Sequence, residues 1–234
     1  MSIRRKCNCG LIGEIAMLSS TDRTTIKKNP NKAVFETEKL YQIIDESLLA
    51  HIAIEQNEQP IVIPMLVWRV ENNIYVHGAK NSRLIRALKK GKSCCLTFTL
   101  FDGWVLARSA FHHSAHYRSA MVFGQFDTID DNQYKNALLN HFIEQIAPGR
   151  SECVRQGNEK ELTATELLVM PLTEASVKIG CNGVNDDERD MDLSVWAGII
   201  PYKTVIGPLQ DDEKMASGID QPDYSLAYGK RWYK

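Results

Sequence analysis

The segment from Tyr75 to Arg83 combines the residue types that bind a phosphate group. It reads Tyr-Val-His-Gly-Ala-Lys-Asn-Ser-Arg and runs from a predicted strand into the start of a predicted helix. Gly78 and Ala79 would let the backbone approach a ligand closely. Ser82 and Arg83 fall where a helix offers free N–H groups and the positive end of its dipole, which favours an anion. An ordinary helix start with a surface arginine is the alternative, and spacing alone does not exclude it.

A second polar segment, residues 102–119, carries three histidines within five positions. A metal site is disfavoured there, because His112 and His113 are neighbours and would point to opposite faces of a strand. No further histidine or carboxylate lies near them in sequence to complete a ligand shell. The segment ends on residues of another kind, Tyr117, Arg118 and Ser119. These favour an organic ligand with a flat ring and hydrogen-bonding edges.

Other chemistries leave no signature in the chain. The short motifs of serine hydrolases, zinc proteases, P-loop proteins and dinucleotide-binding folds are all missing from the sequence. Cys94 and Cys95 lie in an apolar run and are predicted to be reduced and buried. Cys7 and Cys9 are spaced too closely for a zinc knuckle, and no matching pair lies elsewhere. The residues alone therefore predict a site for a phosphate and a ring, with no metal.

Composition and charge exclude several classes of partner. The chain has 234 residues, with 44% hydrophobic and 24% charged residues, which is ordinary for a globular protein. A net charge of -1 provides no basic field for nucleic acid or an anionic membrane. No stretch reaches the roughly 20 apolar residues that a transmembrane helix needs. Glu14 interrupts the only segment that resembles a signal peptide, so we expect a cytoplasmic protein.

The elements that must position these residues follow from the hydrophobic periodicity. Helical spacing predicts helices over residues 36–49, 81–90, 131–146 and 159–168. Runs rich in Val and Ile predict strands over residues 51–54, 60–70, 74–77, 93–101, 104–110, 120–129, 174–179 and 196–206. Residues 56–59 and 71–73 have hairpin-turn chemistry, and Asp102 and Gly103 are predicted to form a further turn. The order indicates an α+β protein built on an antiparallel β-barrel.

The chain is expected to form one domain with extensions at both ends. Residues 1–32 are polar and poorly patterned, which predicts a loose N-terminal arm. Residues 33–220 are predicted to form the β-barrel domain, and residues 221–234 are the predicted C-terminal tail.

Four stretches of the sequence carry a resemblance to a known family. The first two are residues 60–65, Pro-Ile-Val-Ile-Pro-Met, and residues 75–84, Tyr-Val-His-Gly-Ala-Lys-Asn-Ser-Arg-Leu. The third is residues 102–119, which begins Asp-Gly-Trp-Val-Leu-Ala-Arg-Ser-Ala-Phe-His-His-Ser and ends Tyr-Arg-Ser. The fourth is residues 195–201, Val-Trp-Ala-Gly-Ile-Ile-Pro. In this order they resemble the FMN-binding split β-barrel superfamily. The likeness is strongest to its pyridoxamine 5'-phosphate oxidase-related branch, which is akin to nitroimidazole-resistance proteins.

The resemblance implies a six-stranded antiparallel split β-barrel with flanking helices. It further implies a homodimer that binds FMN at the subunit interface. Carried over by motif, Ser82 and Arg83 bind the FMN phosphate, and the flavin is lined by His77, Gly78 and Ala79. Ring or ribityl contacts are expected from Pro64, Met65, Tyr117, Arg118 and Ser119, with Lys178 and Trp196 as weaker candidates.

Departures from the family pattern bear on the substrate. Family oxidases have an arginine and a lysine where this chain has residues 63–65, Ile-Pro-Met, and a lysine where it has Leu84. Their C-terminal Arg-x-His pattern is also missing, and His116 replaces a more usual asparagine. We therefore expect an FMN-dependent oxidoreductase for a small planar molecule other than pyridoxamine phosphate. The alternative is a non-catalytic binding module. Such a module would store or sense flavin, or would bind haem through His77 or a loop histidine.

Overall fold

Residues 16–232 are described by a computed structural model of the chain. The helices in this part are α1 (Thr37–Ser47), α2 (Arg83–Leu88), α3 (Asn132–Ile146), α4 (Arg150–Cys153), α5 (Glu159–Ala164) and α6 (Ser225–Trp232). The strands are β1 (Ala33–Val34), β2 (Leu49–Gln56), β3 (Gln59–Leu66), β4 (Trp68–Val70), β5 (Asn73–Ala79), β6 (Cys94–Leu106), β7 (Ser114–Gly124), β8 (Asp127–Thr128), β9 (Thr165–Pro171), β10 (Ala175–Gly180) and β11 (Gly198–Pro201). The predictions about Cys7, Cys9 and the signal-like segment concern residues that lie outside the described part, apart from positions 16–18.

The strands form two antiparallel sheets. The larger, seven-stranded sheet has the order β1-β10-β7-β6-β2-β3, with β11 paired to β6. The smaller sheet has the order β4-β5-β9-β8. This α+β architecture of mostly antiparallel strands and few helices confirms the predicted split-barrel fold. The barrel is not closed, and the described strands outnumber the six that the resemblance implies.

A single main core lies between the sheets and the first two helices. Helix α1 places Leu40, Ile43 and Ile44 on one side, as its three- and four-residue spacing predicts. Helix α2 adds Leu84, Ile85 and Leu88 to the same cluster. A second cluster, between the smaller sheet and α3, contains Trp68, Tyr75, Ile129, Leu138 and Leu167. The small sheet is therefore buried on both faces.

The β2–β3 hairpin confirms the turn that the sequence predicts. Gln56 pairs with Gln59, so the turn consists of Asn57 and Glu58. Both have positive φ, at 53° and 59°, which is the conformation of a two-residue hairpin turn. This turn fixes the register of the pair and hence the face that each side chain occupies.

The larger sheet buries one face and exposes the other. Residues that lie directly opposite each other in paired antiparallel strands share a face. The face turned away from the core, which we call the outer face, carries Leu49, His51, Val62, Pro64, Leu66, Thr97, Phe101, Trp104, Tyr117, Ser119, Met121, Lys178 and Ile200. Seven of these are exposed large apolar residues, namely Leu49, Val62, Leu66, Phe101, Trp104, Met121 and Ile200. Such a continuous apolar face is typical of a contact surface.

The predicted turn at Asp102 and Gly103 is wrong, because β6 runs through both residues. The pairing with β7 shifts register between Phe101 and Gly103, which marks a β-bulge. A Cβ on Gly103 would lie 2.6 Å from the carbonyl oxygen of Ile200, so glycine allows β11 to approach. The Asp-Gly sequence suggested a turn because glycine is common in turns. Here the glycine is needed instead for the close approach of two backbones.

The predicted helix over residues 159–168 is wrong in its second part. Helix α5 ends at Ala164, and β9 begins at the next residue. Leu167, Leu168 and Met170 are fully buried in β9, which pairs with β5 and β8. Short apolar runs fit the periodicity of a helix as well as that of a strand. This run forms a strand because it pairs with β5 and β8 in the smaller sheet. Other strand ends also shift, since β6 ends at residue 106, β7 starts at residue 114 and β11 covers only four residues.

Residues 16–36, the described part of the arm with its junction, pack along an edge of the larger sheet. The Leu18 N–H donates to the Phe35 carbonyl at 2.7 Å. The Thr21 hydroxyl donates to the Glu174 carboxylate at 2.6 Å, and Arg23 pairs with the same carboxylate. This segment thus contacts its own chain, whereas the sequence suggested a loose arm. The domain boundaries themselves stay predictions.

The buried cysteines agree with the sequence. Cys94 is buried and Cys95 half-buried, and both are free thiols. Burial raises the pKa of the Cys94 thiol to about 12, so it is an unreactive group. Within residues 16–232, none of the helices is long and apolar enough to cross a bilayer.

Candidate functional site

The predicted phosphate-binding pair lies at the exposed start of α2. Ser82 is the N-cap, and its Oγ accepts a hydrogen bond from the Ile85 N–H at 3.3 Å. The Arg83 Nε donates to the side-chain oxygen of Gln56 at 2.7 Å. Gln56 ends strand β2, so this contact joins α2 to the β2–β3 hairpin. Ser82 and Arg83 are both exposed, which leaves their remaining donors turned towards solvent.

Gly78 has a packing role that the sequence does not reveal. A Cβ on Gly78 would lie 2.9 Å from Cγ1 of Ile85, with Met65 Cε at 4.0 Å. The space beside Gly78 is therefore filled by α2 of the same chain. We expected this glycine to let a ligand approach, but in the structure it lets the helix approach. Gly78 thus acts on the phosphate-binding pair indirectly, because it sets the position of α2.

His77 points into the aromatic cluster on the opposite face of β5 from Gly78. Its ring centroid lies 5.7 Å from that of Trp68 and 5.8 Å from that of Phe142. The Nδ1 atom is shielded from solvent and has no hydrogen-bond partner among the described residues. Burial lowers the pKa of His77 below its ordinary value of 6.5, so the imidazole is neutral at pH 7. The side chain is therefore half-buried against the second core, on the opposite side of β5 from Gly78.

Several other predicted site residues share the outer face of the larger sheet. Ser119 lies opposite Lys178, and its hydroxyl donates to the Lys178 carbonyl at 3.4 Å. Tyr117 packs its ring on Gly180, where a Cβ would come within 2.8 Å of Cε1. The Lys178 ammonium donates to the Lys28 carbonyl at 2.8 Å. Pro64 is exposed on β3, which is separated from β7 by the two strands β6 and β2.

Arg118 lies between these outer-face residues in sequence, but its side chain lies on the inner face. The guanidinium binds Glu46 at 2.5 Å and makes two hydrogen bonds of 2.9 Å to Asp102. The hydrogen bonds to Asp102 and Glu46 raise the pKa of the guanidinium further above its ordinary value. Arg118 thus ties helix α1 to strands β6 and β7. A flavin contact for Arg118 stays a prediction.

Trp196 lies just before β11 and is largely exposed. Its relative exposure is 64%, and its ring lies against the backbone of Gly198. It lies near the end of the outer face at which Ile200 pairs with Trp104. Within the described chain, Trp196 makes no hydrogen bond or ring contact with Ser82 or Arg83. The twelve predicted residues therefore form separate groups on one chain: the α2 start with Met65, the outer face, Arg118 on the inner face, and His77 beside the second core.

A large polar cavity lies at the end of β6 and β7 where the three histidines cluster. Its volume is about 860 Å³, within the range of small-molecule sites. The lining includes His112, His113, Lys28, Lys32 and Asn185. The predicted site did not include this cavity, because its lysines and asparagines come from distant, loosely patterned segments. The cluster of histidines was the one sequence signal that pointed to it.

The histidines around this cavity differ in the hydrogen bonds they make. The His113 Nδ1 accepts a hydrogen bond from the Ala107 N–H at 3.2 Å, so its Nε2 carries the proton when the ring is neutral. The His116 Nε2 lies 2.8 Å from the Asn182 carbonyl, to which it donates. The His112 Nδ1 is shielded and has no partner in the described part of the chain.

An ion pair anchors the acidic loop, residues 186–192, beside these histidines. The Asp186 side chain is buried, with 1% exposure, and binds the Arg108 guanidinium at 3.0 Å. It also accepts hydrogen bonds from the backbone N–H groups of Arg108 and Ser109. Burial alone would raise the pKa of this carboxyl, but these hydrogen bonds outweigh it and the pKa is lowered. The fold thus places the acidic residues of this loop beside the histidines.

Comparisons with known proteins agree with this fold. A family model described as pyridoxamine 5'-phosphate oxidase matches residues 36–179. The chain is 33% identical to the flavocytochrome Anf3 from Azotobacter vinelandii, with a TM-score of 0.83 over 88% of this chain and 96% of that chain. These matches decide the family. The chain belongs to the pyridoxamine 5'-phosphate oxidase family.

Two further solved structures are similar to this family member. An FAD and haem binding protein from Mycobacterium smegmatis is 31% identical, with a TM-score of 0.79 over 82% of this chain and 94% of that chain. A proposed 5-nitroimidazole antibiotic resistance protein from Bacteroides thetaiotaomicron is 21% identical, with a TM-score of 0.51 over 63% of this chain and 86% of that chain. The latter likeness concerns the fold alone. The comparison with curated proteins gives no match.

Proposed function

We propose that this protein binds a flavin nucleotide and works as a flavin-dependent oxidoreductase on a small planar substrate. The observation that carries the proposal is the exposed Ser82–Arg83 pair, in a chain that matches two flavin-binding proteins over 88% and 82% of its length. A bound flavin supplies electron or hydride transfer, and the protein supplies binding and orientation.

The phosphate-binding pair fits a flavin phosphate. The Ser82 Oγ accepts the capping hydrogen bond, which leaves its own O–H free to donate. Arg83 has one described side-chain partner, the neutral amide of Gln56, so most of its guanidinium donors remain for an anion. We propose FMN as the flavin. FAD carries the same phosphate chemistry, so titration with both nucleotides separates the two.

We further propose that a second copy of the chain covers the outer face, with the flavin at the interface. The exposed apolar residues of that face favour burial against a partner. Pro64, Tyr117, Ser119 and Lys178 lie on this face, whereas Ser82 and Arg83 lie at the start of α2. Two copies would let one subunit hold the phosphate while its partner contacts the ring. This explains why one chain alone does not gather the predicted residues.

The flavin proposal is tested by titration of purified protein with FMN and FAD, followed by quenching of flavin fluorescence. Arg83→Ala removes charge-assisted hydrogen bonds of about 1.5–3 kcal/mol, so we expect flavin affinity to fall roughly tenfold to a hundredfold. Arg155→Ala is the control, because Arg155 forms an exposed ion pair with Glu161 away from α2. Wild-type protein that binds neither nucleotide, or equal losses in both variants, contradicts the proposal.

The oxidoreductase part needs a separate experiment. Flavin-loaded protein should oxidise NADH or NADPH in the presence of a nitroaromatic compound or a quinone. Pyridoxamine phosphate is not the proposed substrate, because residues 63–65, Ile-Pro-Met, and Leu84 stand where family oxidases have charged residues. Tight flavin binding without turnover on any of these acceptors would favour a non-catalytic flavin module.

Haem binding is a second candidate function. Two relatives are named for haem as well as flavin, and the histidine-lined cavity of about 860 Å³ is large enough for a cofactor. His77 is enclosed by Trp68 and Phe142, so the loop histidines are the better candidates. Added haem should give a Soret band that is lost in a variant lacking His112 and His113. No band with the wild-type protein excludes this candidate.

A further inference from the structure

The acidic loop meets the histidine cluster at a group of metal-ligating side chains. His112, Asp187 and Asp190 each offer one ligand atom, and these three atoms lie within 4.8 Å of one another. No sequence motif joins these three residues, because the two carboxylates are far from His112 along the chain. From this geometry we propose that His112, Asp187 and Asp190 form a binding site for a divalent transition-metal ion such as Zn²⁺.

The fold brings the two sides of the site together by a fixed connection. The buried Asp186 binds the backbone and guanidinium of Arg108, as well as the Ser109 N–H. Ser109 in turn caps the short turn that ends at His112, since its Oγ accepts from the Phe111 N–H. The ligands on the acidic loop therefore sit beside His112 because of contacts that do not involve the ligands themselves.

The carboxylates also have a fixed mutual position. Asp187 precedes the 3-10 turn Glu188–Asp190, and the Asp190 N–H donates to the Asp187 carbonyl at 2.9 Å. One turn of this helix places both side chains near each other. Arg189 pairs with one oxygen of Asp187 at 3.1 Å, but both side chains of that pair are largely exposed. An exposed pair of this kind is weak and yields readily to a cation.

His112 is the observation that distinguishes this group from an ordinary acidic cluster. Its Nδ1 is shielded from solvent and lacks a hydrogen-bond partner in the described chain, although buried polar atoms are normally paired. A metal ion or a ligand beside the ring would satisfy such a nitrogen. The imidazole also sets the choice of ion, because nitrogen ligands favour Zn²⁺ and its neighbours over Mg²⁺ and Ca²⁺.

The distances require a small adjustment on binding. Ligand atoms around Zn²⁺ lie roughly 2.0–2.2 Å from the ion, so neighbouring ligands are roughly 3–4 Å apart. The three atoms lie within 4.8 Å, and a rotation of the exposed Asp187 side chain closes the difference. With three protein ligands, water or a ligand in the adjoining cavity would complete the coordination. The bound ion would link the His112 turn to the acidic loop at the edge of the cavity.

The proposal is tested by calorimetric titration of EDTA-treated, full-length protein with ZnCl₂, and by the visible spectrum after addition of Co²⁺. We expect one saturable ion per chain, with at least a tenfold loss of affinity in His112→Ala and in the double variant Asp187→Asn/Asp190→Asn. The control Glu188→Gln/Asp192→Asn removes the same charge from the same loop without changing a proposed ligand. It should bind Zn²⁺ like the wild type.

Three outcomes overturn the proposal. They are an absence of saturable Zn²⁺ binding by the wild type, an equal loss in the control, and unchanged binding in His112→Ala. Thermal unfolding of each metal-free variant shows whether it is folded, and Zn²⁺ should raise the unfolding temperature only where the ligands are intact. Haem iron would compete with Zn²⁺ for His112. A Soret band that is lost in His112→Ala but kept in Asp187→Asn/Asp190→Asn would therefore also argue against the Zn²⁺ site. None of these readouts depends on flavin binding.

Discussion

Ile85 of helix α2 packs directly on Gly78 of strand β5, so closely that a Cβ on Gly78 would lie 2.9 Å from Ile85 Cγ1. Ser82 and Arg83 begin the same helix. The strand thus sets the position of the proposed phosphate site through one close contact. A change at Gly78 should therefore affect both stability and flavin binding.

Gly78→Ala is the first prediction. The added methyl group must displace the buried Ile85, and we expect a loss of about 1–3 kcal/mol in the free energy of unfolding. Flavin affinity should fall as well, because α2 shifts. Urea denaturation measures the first effect and flavin titration the second. In an Ile85→Ala background the extra methyl group has room, so Gly78→Ala should lower the free energy of unfolding by less. Gly207→Ala should leave the free energy of unfolding nearly unchanged, because no atom lies within 4 Å of the added Cβ.

His77 predicts a dependence of stability on pH. Burial lowers its pKa in the folded protein below 6.5, so the unfolded chain takes up a proton first as the pH falls. The stability that comes from burying His77 as a neutral imidazole is fully present above about pH 6.5. This stability is lost progressively as the pH drops below that value. Urea midpoints at several pH values should show this loss. His77→Phe should reduce the slope, because the phenyl ring takes up no proton.

Arg118 is predicted to act mainly through stability. Arg118→Gln removes the ion pairs that Arg118 forms with Glu46 and Asp102, and we expect about 2 kcal/mol of destabilisation. Arg155→Gln breaks an exposed, solvent-screened pair with Glu161 and should have a much smaller effect. Flavin affinity, measured on the folded protein, should change little. A large loss of affinity with little loss of stability would instead place Arg118 in contact with the flavin.

The outer face predicts the oligomeric state. Met121 lies on the central strand β7 and is exposed on this face. Met121→Glu should convert a dimer into a monomer, as seen by analytical ultracentrifugation, because an interface does not tolerate an unpaired buried charge. Ile219→Glu changes an exposed apolar residue outside this face and should keep the dimer. A wild-type protein that sediments as a monomer would refute the proposed interface.

Local patterns in the sequence were sufficient for part of this protein. The spacing of Leu40, Ile43 and Ile44 determined the first amphipathic helix, because helical periodicity is a property of neighbouring residues. The turn at Asn57 and Glu58 was equally local, since short polar residues at a hairpin tip select their own conformation. The four motif stretches, taken in their order along the chain, were sufficient to predict the family, whereas the phosphate-binding role of Ser82 and Arg83 stays a prediction.

The tertiary structure decided which neighbours each residue has. Arg118 lies on the inner face because strand pairing fixes alternation across β7, and Gly78 faces Ile85 because α2 folds back on β5. His112 lies beside Asp187 and Asp190 where the long-range ion pair of Asp186 with Arg108 anchors the acidic loop. Contacts of this kind depend on burial and pairing between distant segments. A sequence specifies them only through the whole fold, so no local pattern could reveal them.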